Sequence, residues 1–233
     1  HEKVWVKEAE EQRKSLLSRK VNSRRALDAT SLNSSNEDSR RAKNPVMVLG
    51  SDVDADDANE IAVQLAEKLK CPVWAAPSTP RSPFPNKHRC FKGLLTSGIN
   101  SISAQLSAHD LILVVGAPVF RYHQYEAGEY LPADAKLIHI TCDINEAARA
   151  PAGDAWVADI KPAMQQLLES VEEKAGDMPD FRTSPVQVNL TTPVRPETVF
   201  DTLNWAAPDN AIFVNESPST TAAMWERPNF ANT

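Results

Sequence analysis

The 233-residue sequence lacks the features that mark membrane-spanning and nucleic-acid-binding proteins. It contains no apolar run that approaches the roughly 20 residues needed to cross a bilayer. Its net charge is −6 and no basic stripe is present, so we expect neither a nucleic-acid nor a membrane partner. Its three cysteines, Cys71, Cys90 and Cys142, form no C-x-x-C pair. That pattern favours free thiols in a reducing compartment, and we expect a cytoplasmic protein.

Hydrophobic residues make up 42% of the chain, which is enough for a substantial core. The sequence begins with His1 instead of Met, and it stops at Thr233 soon after a new strand–loop pattern has begun. We therefore expect a segment of a longer polypeptide, in which part of an active site would come from residues outside these 233.

Residues 1–43 are polar and differ from the rest of the chain. Val4 to Val6 could end a strand and Glu8 to Lys20 could form a polar helix, whereas Ser31 to Arg41 is typical of a linker or a disordered segment. We interpret residues 1–43 as a polar linker or the remnant of a preceding domain. Their basic cluster lacks interleaved aromatic residues, which favours a solvated face over a nucleic-acid arm: Arg19, Lys20, Arg24 and Arg25.

From residue 44 to 175 short apolar runs alternate with helical periodicity, which predicts an α/β fold. Strands are expected at 46–50, 73–76, 111–115, 137–141 and 156–157, and helices at 58–69, 99–106 and 162–174. The last helix places Met164, Leu167, Leu168 and Val171 on one face. Strands that alternate with helices in this way predict a doubly wound, Rossmann-like parallel sheet with right-handed crossovers.

The proline-rich residues 176–194 are typical of an interdomain linker. A new unit is predicted over 195–233. It starts with a helix from Pro196 to Trp205, continues with a strand from Ala211 to Val214, and ends on the loop that contains Asn215, Glu216 and Ser217.

The first predicted strand is not followed by a G-x-G-x-x-G motif, because Gly50 precedes Ser-Asp-Val-Asp. Without those glycines a backbone approach to a pyrophosphate is hindered, and the local aspartates would repel phosphate. The same aspartates, Asp52, Asp54, Asp56 and Asp57, resemble a calcium loop only loosely, since its Gly and closing Glu are misplaced. We interpret them as a solvated helix start.

Other single residues leave two interpretations open. Asp143, directly after a predicted strand, could bind a ribose or cap the helix at 145–149. His88 and His109 are interpreted as structural or solvated, and His139, inside a strand, as packed.

The segment from Val119 to Tyr125 is the most informative loop, because it follows the strand at 111–115 and is both polar and aromatic. Ligands of open α/β sheets gather outside the carboxyl ends of the strands. His123 lies there beside Arg121 and Tyr122, where an imidazole can titrate near neutral pH and move protons. His123 is therefore the candidate catalytic residue. Arg121 could hold a carboxylate or form a structural salt bridge.

Several phrases of residues 44–233, in order and with similar spacing, resemble the benzoylformate decarboxylase family of thiamine-diphosphate-dependent enzymes. They are Gly50-Ser-Asp-Val-Asp, Ala76-Pro-Ser-Thr-Pro-Arg-Ser-Pro-Phe-Pro, Val115-Gly-Ala-Pro-Val-Phe-Arg-Tyr-His-Gln-Tyr, Thr141-Cys-Asp, Glu146-Ala-Ala-Arg-Ala-Pro and Pro196-Glu-Thr-Val-Phe-Asp-Thr-Leu-Asn. Residues 1–43 match poorly.

The resemblance implies three domains, of which this chain would hold the middle domain and the first β-unit of the diphosphate-binding domain. It implies thiamine diphosphate and Mg²⁺ as cofactors and a 2-oxo acid as substrate, which is benzoylformate cleaved to benzaldehyde and carbon dioxide. It also implies a homo-oligomer, a dimer or tetramer, with active sites shared between subunits.

The resemblance assigns proton transfer to His123 and cofactor contacts to Glu216, Ser217 and Ser219. Pro218 stands where the family has Thr, which puts one contact in doubt. The activating carboxylate of the first domain and the Gly-Asp-Gly…Asn stretch that holds magnesium are absent, so we expect the chain alone to be inactive.

Two alternatives accompany this interpretation. One is a relative that acts on another 2-oxo acid or on an acyl-CoA. The other is a free-standing Rossmann-like module that binds FAD, ADP or NAD.

Overall fold

The computed structural model describes residues 20–120, 125–181, 192–208, 211–216 and 218–227. Six strands form one sheet, with the bounds β1 Pro45–Leu49, β2 Val73–Ala75, β3 Phe91–Leu94, β4 Leu111–Val115, β5 Lys136–Thr141 and β6 Asp154–Val157. The α-helices of the described residues are α1 Ala29–Arg41, α2 Ser51–Ala55, α3 Asn59–Leu69, α4 Ile99–Gln105, α5 Ile144–Arg149, α6 Ile160–Ser170, α7 Pro196–Ala206 and α8 Thr221–Glu226. A 3₁₀ turn, Pro218–Thr220, precedes α8.

The sheet has the strand order β3-β2-β1-β4-β5-β6, and every neighbouring pair is parallel. The predicted doubly wound parallel fold is therefore confirmed. The chain reverses its direction of travel across the sheet between β1 and β4, which are paired from Pro45↔Leu111 to Leu49↔Val115. In such sheets ligands bind at the carboxyl ends of the strands beside this switch point.

All five residues of both β1 and β4 are buried, as their continuous apolar runs predict for central parallel strands. Alternate side chains point to opposite faces and contribute to two cores. Met47 and Leu49 face the core below α3 and α6, and Val46 and Val48 face the core that includes Ile102 of α4.

Helix α1 shows that the linker predicted at Ser31 to Arg41 is wrong. Asp28 caps the helix by accepting hydrogen bonds from the backbone N–H groups of Thr30 and Ser31. Its buried residues are Ser35 and Ser39, one turn apart, and the helix packs against α6. Small side chains such as serine allow the two helices to pack closely. Because this buried face is polar, a search for apolar periodicity does not detect it.

The segment before α1 is also held by the domain. The Leu27 backbone N–H donates to Gln166 Oε1 at 2.8 Å, and the Gln166 amide donates back to the Leu27 carbonyl at 3.2 Å. Arg24 pairs with Asp56 at 3.0 Å, and Arg25 donates to the Cys142 carbonyl at 2.8 Å. These arginines of the basic cluster thus contact their own domain. Arg19, the strand end predicted at 4–6 and all but Lys20 of the helix predicted at 8–20 lie outside the described residues.

The structure tests two elements predicted after residue 195, a helix and a strand. Helix α7 forms where predicted, with Pro196 in its first turn. Residues 211–214 lie in no strand, and their side chains at Ile212 and Val214 are 91% and 86% exposed. The predicted strand is wrong here because a strand requires a hydrogen-bonding neighbour, and none of the described strands pairs with it. The division of the chain into domains stays a prediction.

Among the described residues, no helix has the length and apolar character that a bilayer crossing requires.

Candidate functional site

The switch point at the carboxyl edge of the sheet is filled by the protein's own backbone. The Gly50 N–H donates to the Val115 carbonyl at 3.0 Å, and the Asp52 N–H donates to the Gly116 carbonyl at 3.2 Å. A Cβ on Gly50 would lie 2.3 Å from that same Gly116 oxygen. The first amides of α2 are therefore engaged with protein carbonyls, and they do not form the open cradle that a pyrophosphate needs.

The charges at this point also oppose a phosphate. Burial raises the pKa of Asp52, and the nearby carboxylates of Asp143 and Glu146 raise it further. The Cys142 thiol lies 3.6 Å from Asp52 Oδ2, and burial and that carboxylate raise the pKa of the thiol. A thiol with a raised pKa is a poor source of thiolate, so Cys142 does not have the properties of a reactive cysteine. The carboxyl groups around it would repel the phosphates of a dinucleotide.

The remaining aspartates of α2, and of the turn after it, form ion pairs with basic side chains of the same domain. Asp54 contacts Arg81 at 2.8 Å and Asp57 contacts Lys161 at 2.6 Å, and this lysine lowers the pKa of Asp57. The structure thus supports the solvated, ion-paired helix start over the calcium loop. Across the described residues, no group of three or more His, Cys, Asp or Glu is arranged to hold a metal ion.

Asp143 is a helix cap. Its Oδ1 accepts a hydrogen bond from the Asn145 backbone N–H at 2.7 Å at the start of α5, and this bond lowers the pKa of the carboxyl group. Of the two interpretations left open for Asp143, the structure shows this one.

The loop that follows β4 carries the candidate catalytic residue. Val119 and Phe120 are buried where the chain leaves the carboxyl edge of the sheet, and Tyr125 is 83% exposed. His123, with Arg121 and Tyr122, lies outside the described residues. Its catalytic role stays a prediction, made for a loop whose start is firmly attached to the sheet.

That attachment depends on His139 of β5. His139 is completely buried, and its Nε2 lies 2.8 Å from the Ala117 carbonyl oxygen. Burial lowers the pKa of the imidazole. Because a carbonyl oxygen can only accept, Nε2 is the donor in this contact. The prediction that His139 is packed is confirmed, and the structure adds a contact to the base of the His123 loop.

His88 and His109 have structural partners, which agrees with the structural interpretation of both. His88 Nε2 lies 3.3 Å from Glu67 Oε1, and its Nδ1 accepts a hydrogen bond from the Cys90 backbone N–H. His109 Nδ1 lies 3.1 Å from the Asn44 carbonyl.

The predicted cofactor contacts lie near the end of the chain. The side chains of Glu216 and Ser219 are exposed on either side of the start of the 3₁₀ turn, and Ser217 lies outside the described residues. Their role in cofactor contact stays a prediction, and they are one accessible carboxylate and one accessible hydroxyl. They do not fit a complete diphosphate site, which needs several donors and a cation.

Sequence reasoning missed helix α8, which follows this turn. Its Ala223, Met224 and Trp225 are buried, and α8 contacts the edge strand β3. The apolar run of four residues that begins at Ala222 is the feature of the sequence that could have predicted this helix.

A protein-family model described as "Thiamine pyrophosphate enzyme, central domain" matches residues 40–167. The chain is 55% identical over 188 residues to a protein of Pseudomonas aeruginosa named benzoylformate decarboxylase, an alignment that covers 80% of this chain and 36% of that protein.

Solved structures lead to the same family. The structure of a thiamine-diphosphate-dependent 4-hydroxybenzoylformate decarboxylase from Rhodococcus jostii superposes with a TM-score of 0.86 at 46% identity, and the match covers 91% of this chain and 40% of that one. The crystal structure of benzoylformate decarboxylase from Polynucleobacter necessarius superposes with a TM-score of 0.87 at 34% identity, over 93% and 41%. The chain thus spans about two-fifths of the length of these relatives.

Proposed function

The chain belongs to the family of thiamine pyrophosphate enzymes, of which it contains the central domain, and we propose that its full-length protein is a 2-oxo-acid decarboxylase that converts benzoylformate to benzaldehyde and carbon dioxide. The observation that carries this proposal is the 55% identity over 188 residues to a protein named benzoylformate decarboxylase. Two solved structures of proteins with related names, at TM-scores of 0.86 and 0.87, support it.

In this proposal His123 moves a proton at the reacting carbon. Thiamine diphosphate, when bound, supplies the electron sink for the carbanion that loss of carbon dioxide creates. The imidazole of His123 would then serve as the acid, because its ordinary pKa lies near neutral pH. The buried Val119 and Phe120 hold the start of its loop at the carboxyl edge of the sheet.

We also propose that Glu216, Ser217 and Ser219 contribute edge contacts to the cofactor, while Mg²⁺ and the diphosphate are held mainly by residues outside this chain. The exposure of Glu216 and Ser219 supports such a shared site. The proposed assembly is a homo-oligomer, with a tetramer as the expected form, in the cytoplasm. Sedimentation of the full-length protein tests its assembly.

A direct test compares the full-length protein with its His123→Ala variant, with thiamine diphosphate and Mg²⁺ supplied. General acid–base catalysis contributes on the order of 10²–10⁴-fold, so we expect a loss of kcat in that range while cofactor affinity is unchanged. Glu126→Ala, a substitution of an exposed residue after the same loop, is the control. Unchanged kcat in His123→Ala would remove His123 from the mechanism.

A second candidate is a relative with a different 2-oxo acid or an acyl-CoA as substrate. It is favoured by Pro218, at a position where the resemblance implies Thr, and by the name of the similar Rhodococcus protein, which specifies a 4-hydroxylated substrate. A panel of benzoylformate, its 4-hydroxy derivative, an aliphatic 2-oxo acid and an acyl-CoA separates the two. The highest kcat/KM for an aliphatic or CoA substrate would favour the second candidate.

The free-standing nucleotide-binding module is disfavoured by the geometry of the crevice, where Asp52 and Gly116 close the switch point. Calorimetric titration with FAD, ADP and NAD tests this. Micromolar binding of any of them would restore the module as an explanation.

A further inference from the structure

The contact between helix α8 and the edge of the sheet joins two regions that are distant in sequence. We call this contact the α8 dock, and it consists of Phe84, Asn86, Lys87 and Phe91 on the sheet side and Trp225 on α8. Residues 84–91 form the end of the connection between β2 and β3 and the first residue of β3.

The apolar part of the α8 dock is an aromatic stack. The Trp225 ring lies 6.1 Å from the Phe91 ring, tilted by 34°, and Phe91 stacks on Phe84 at 6.3 Å. Trp225 is 4% exposed, and both phenylalanines are completely buried. A large buried aromatic side chain in such a cluster fixes the position of the helix that carries it.

The polar part of the α8 dock holds the carboxyl end of α8. Asn86 Nδ2 donates to the Trp225 carbonyl at 3.3 Å, and Lys87 Nζ donates to the carbonyls of Glu226 and Arg227 at 3.3 and 2.9 Å. The last carbonyls of a helix have no partner within the helix, and a cation there is favourable. A helix of six residues is too short to persist without tertiary contacts, so α8 depends on the dock.

A second contact ties α8 to α7. Arg227 Nη1 lies 3.1 Å from Asp201 Oδ2, and these side chains are only 10% and 12% exposed. Glu216 lies between these two helices in the sequence, and Ser219 lies in the 3₁₀ turn directly before α8. The position of α8 therefore constrains the positions of Glu216 and Ser219 relative to the central domain.

We propose that Trp225 is a positioning residue for cofactor binding: its insertion into the α8 dock fixes the positions of Glu216 and Ser219 relative to the central domain. This inference rests on the proposed function, because it assumes that these two residues contact thiamine diphosphate. Trp225 itself touches the central domain and acts through the backbone that precedes it.

The test is calorimetric titration of the full-length protein with thiamine diphosphate in the presence of Mg²⁺, at a temperature where circular dichroism shows each variant folded. For Trp225→Ala we expect a Kd at least about tenfold higher, since displacement of a binding group by about 1 Å has large effects. Trp225→Phe restores most of the affinity. Lys87→Met, which removes the α8 carbonyl contacts, weakens binding by about threefold.

The matched control is Lys43→Met, a change at an exposed lysine before β1, for which we expect the wild-type Kd. A folded Trp225→Ala variant with wild-type Kd overturns the inference. If that variant does not fold, wild-type Kd in Lys87→Met overturns it instead. Absence of cofactor binding by the wild-type protein contradicts the proposed function itself, which separates the two failures.

Discussion

At the scale of single residues, His139 connects packing with the candidate loop. It lies opposite Val114 in the β4–β5 register, which brings its ring to the Ala117 carbonyl. The sequence predicts a packed histidine from alternation alone. Its partner depends on the register of two strands, which no local pattern encodes.

We predict that His139 makes stability fall as the pH drops below about 6.5. Burial lowers its pKa in the folded state, so the unfolded chain binds the extra proton and stability is lost as pH falls through the unfolded value. His139→Gln keeps a hydrogen-bond donor at this position, but its amide does not titrate. Urea unfolding of both proteins from pH 7 to 5 measures how the free energy of unfolding changes with pH. We expect this slope to be smaller in the variant, by up to about 1.4 kcal/mol per pH unit. Both proteins retain His109, so the difference between their slopes reports His139 alone. An identical pH dependence in both proteins would contradict this prediction.

Gly50 provides a second prediction at this scale. Its φ of −119° is ordinary, and the requirement for glycine is the close approach of Gly116 and Ala117. Gly50→Ala should therefore lower the free energy of unfolding by about 2 kcal/mol or more. Gly98→Ala is the control, because its φ of −97° is ordinary and a Cβ there meets only the movable ends of the Ser101 and Glu126 side chains, so we expect a cost of about 1 kcal/mol or less. An equal effect of the two substitutions would contradict the steric explanation.

At the scale of elements, prediction from sequence succeeded where apolar spacing was continuous and failed where burial uses other chemistry. The buried strands β1 and β4 follow from their apolar runs. Helix α1 was missed because Ser35 and Ser39 form its buried face. The segment at 211–214 has a strand composition, but composition does not provide the neighbouring strand that it needs.

Helix α6 gives a prediction for an element whose apolar periodicity matches its burial. Met164, Leu167 and Val171 are buried as predicted, whereas Leu168 is only partly buried. Leu167→Ala should lower the free energy of unfolding by about 2–5 kcal/mol. Leu168→Ala, the adjacent control, should cost less than half as much. Chemical denaturation measures both, and equal losses would contradict this orientation of the helix.

At the scale of the whole molecule, the alternation of strands and helices predicted a parallel sheet, but the strand order depends on how the crossovers pack. That order places the switch point between β1 and β4, where backbone and acidic groups fill the nucleotide crevice. Among the described residues, the doubly wound fold therefore forms no open phosphate cradle at its switch point. The proposed function assigns the chemistry instead to His123, in the loop after β4, and the cofactor contacts to Glu216, Ser217 and Ser219.

The most direct measurement is a side-by-side assay of the full-length protein and the 233-residue chain with benzoylformate, thiamine diphosphate and Mg²⁺. We predict that the full-length protein releases benzaldehyde and carbon dioxide in equal amounts and only when the cofactor is present, while the 233-residue chain releases neither. A full-length protein that forms no benzaldehyde under these conditions would contradict the account.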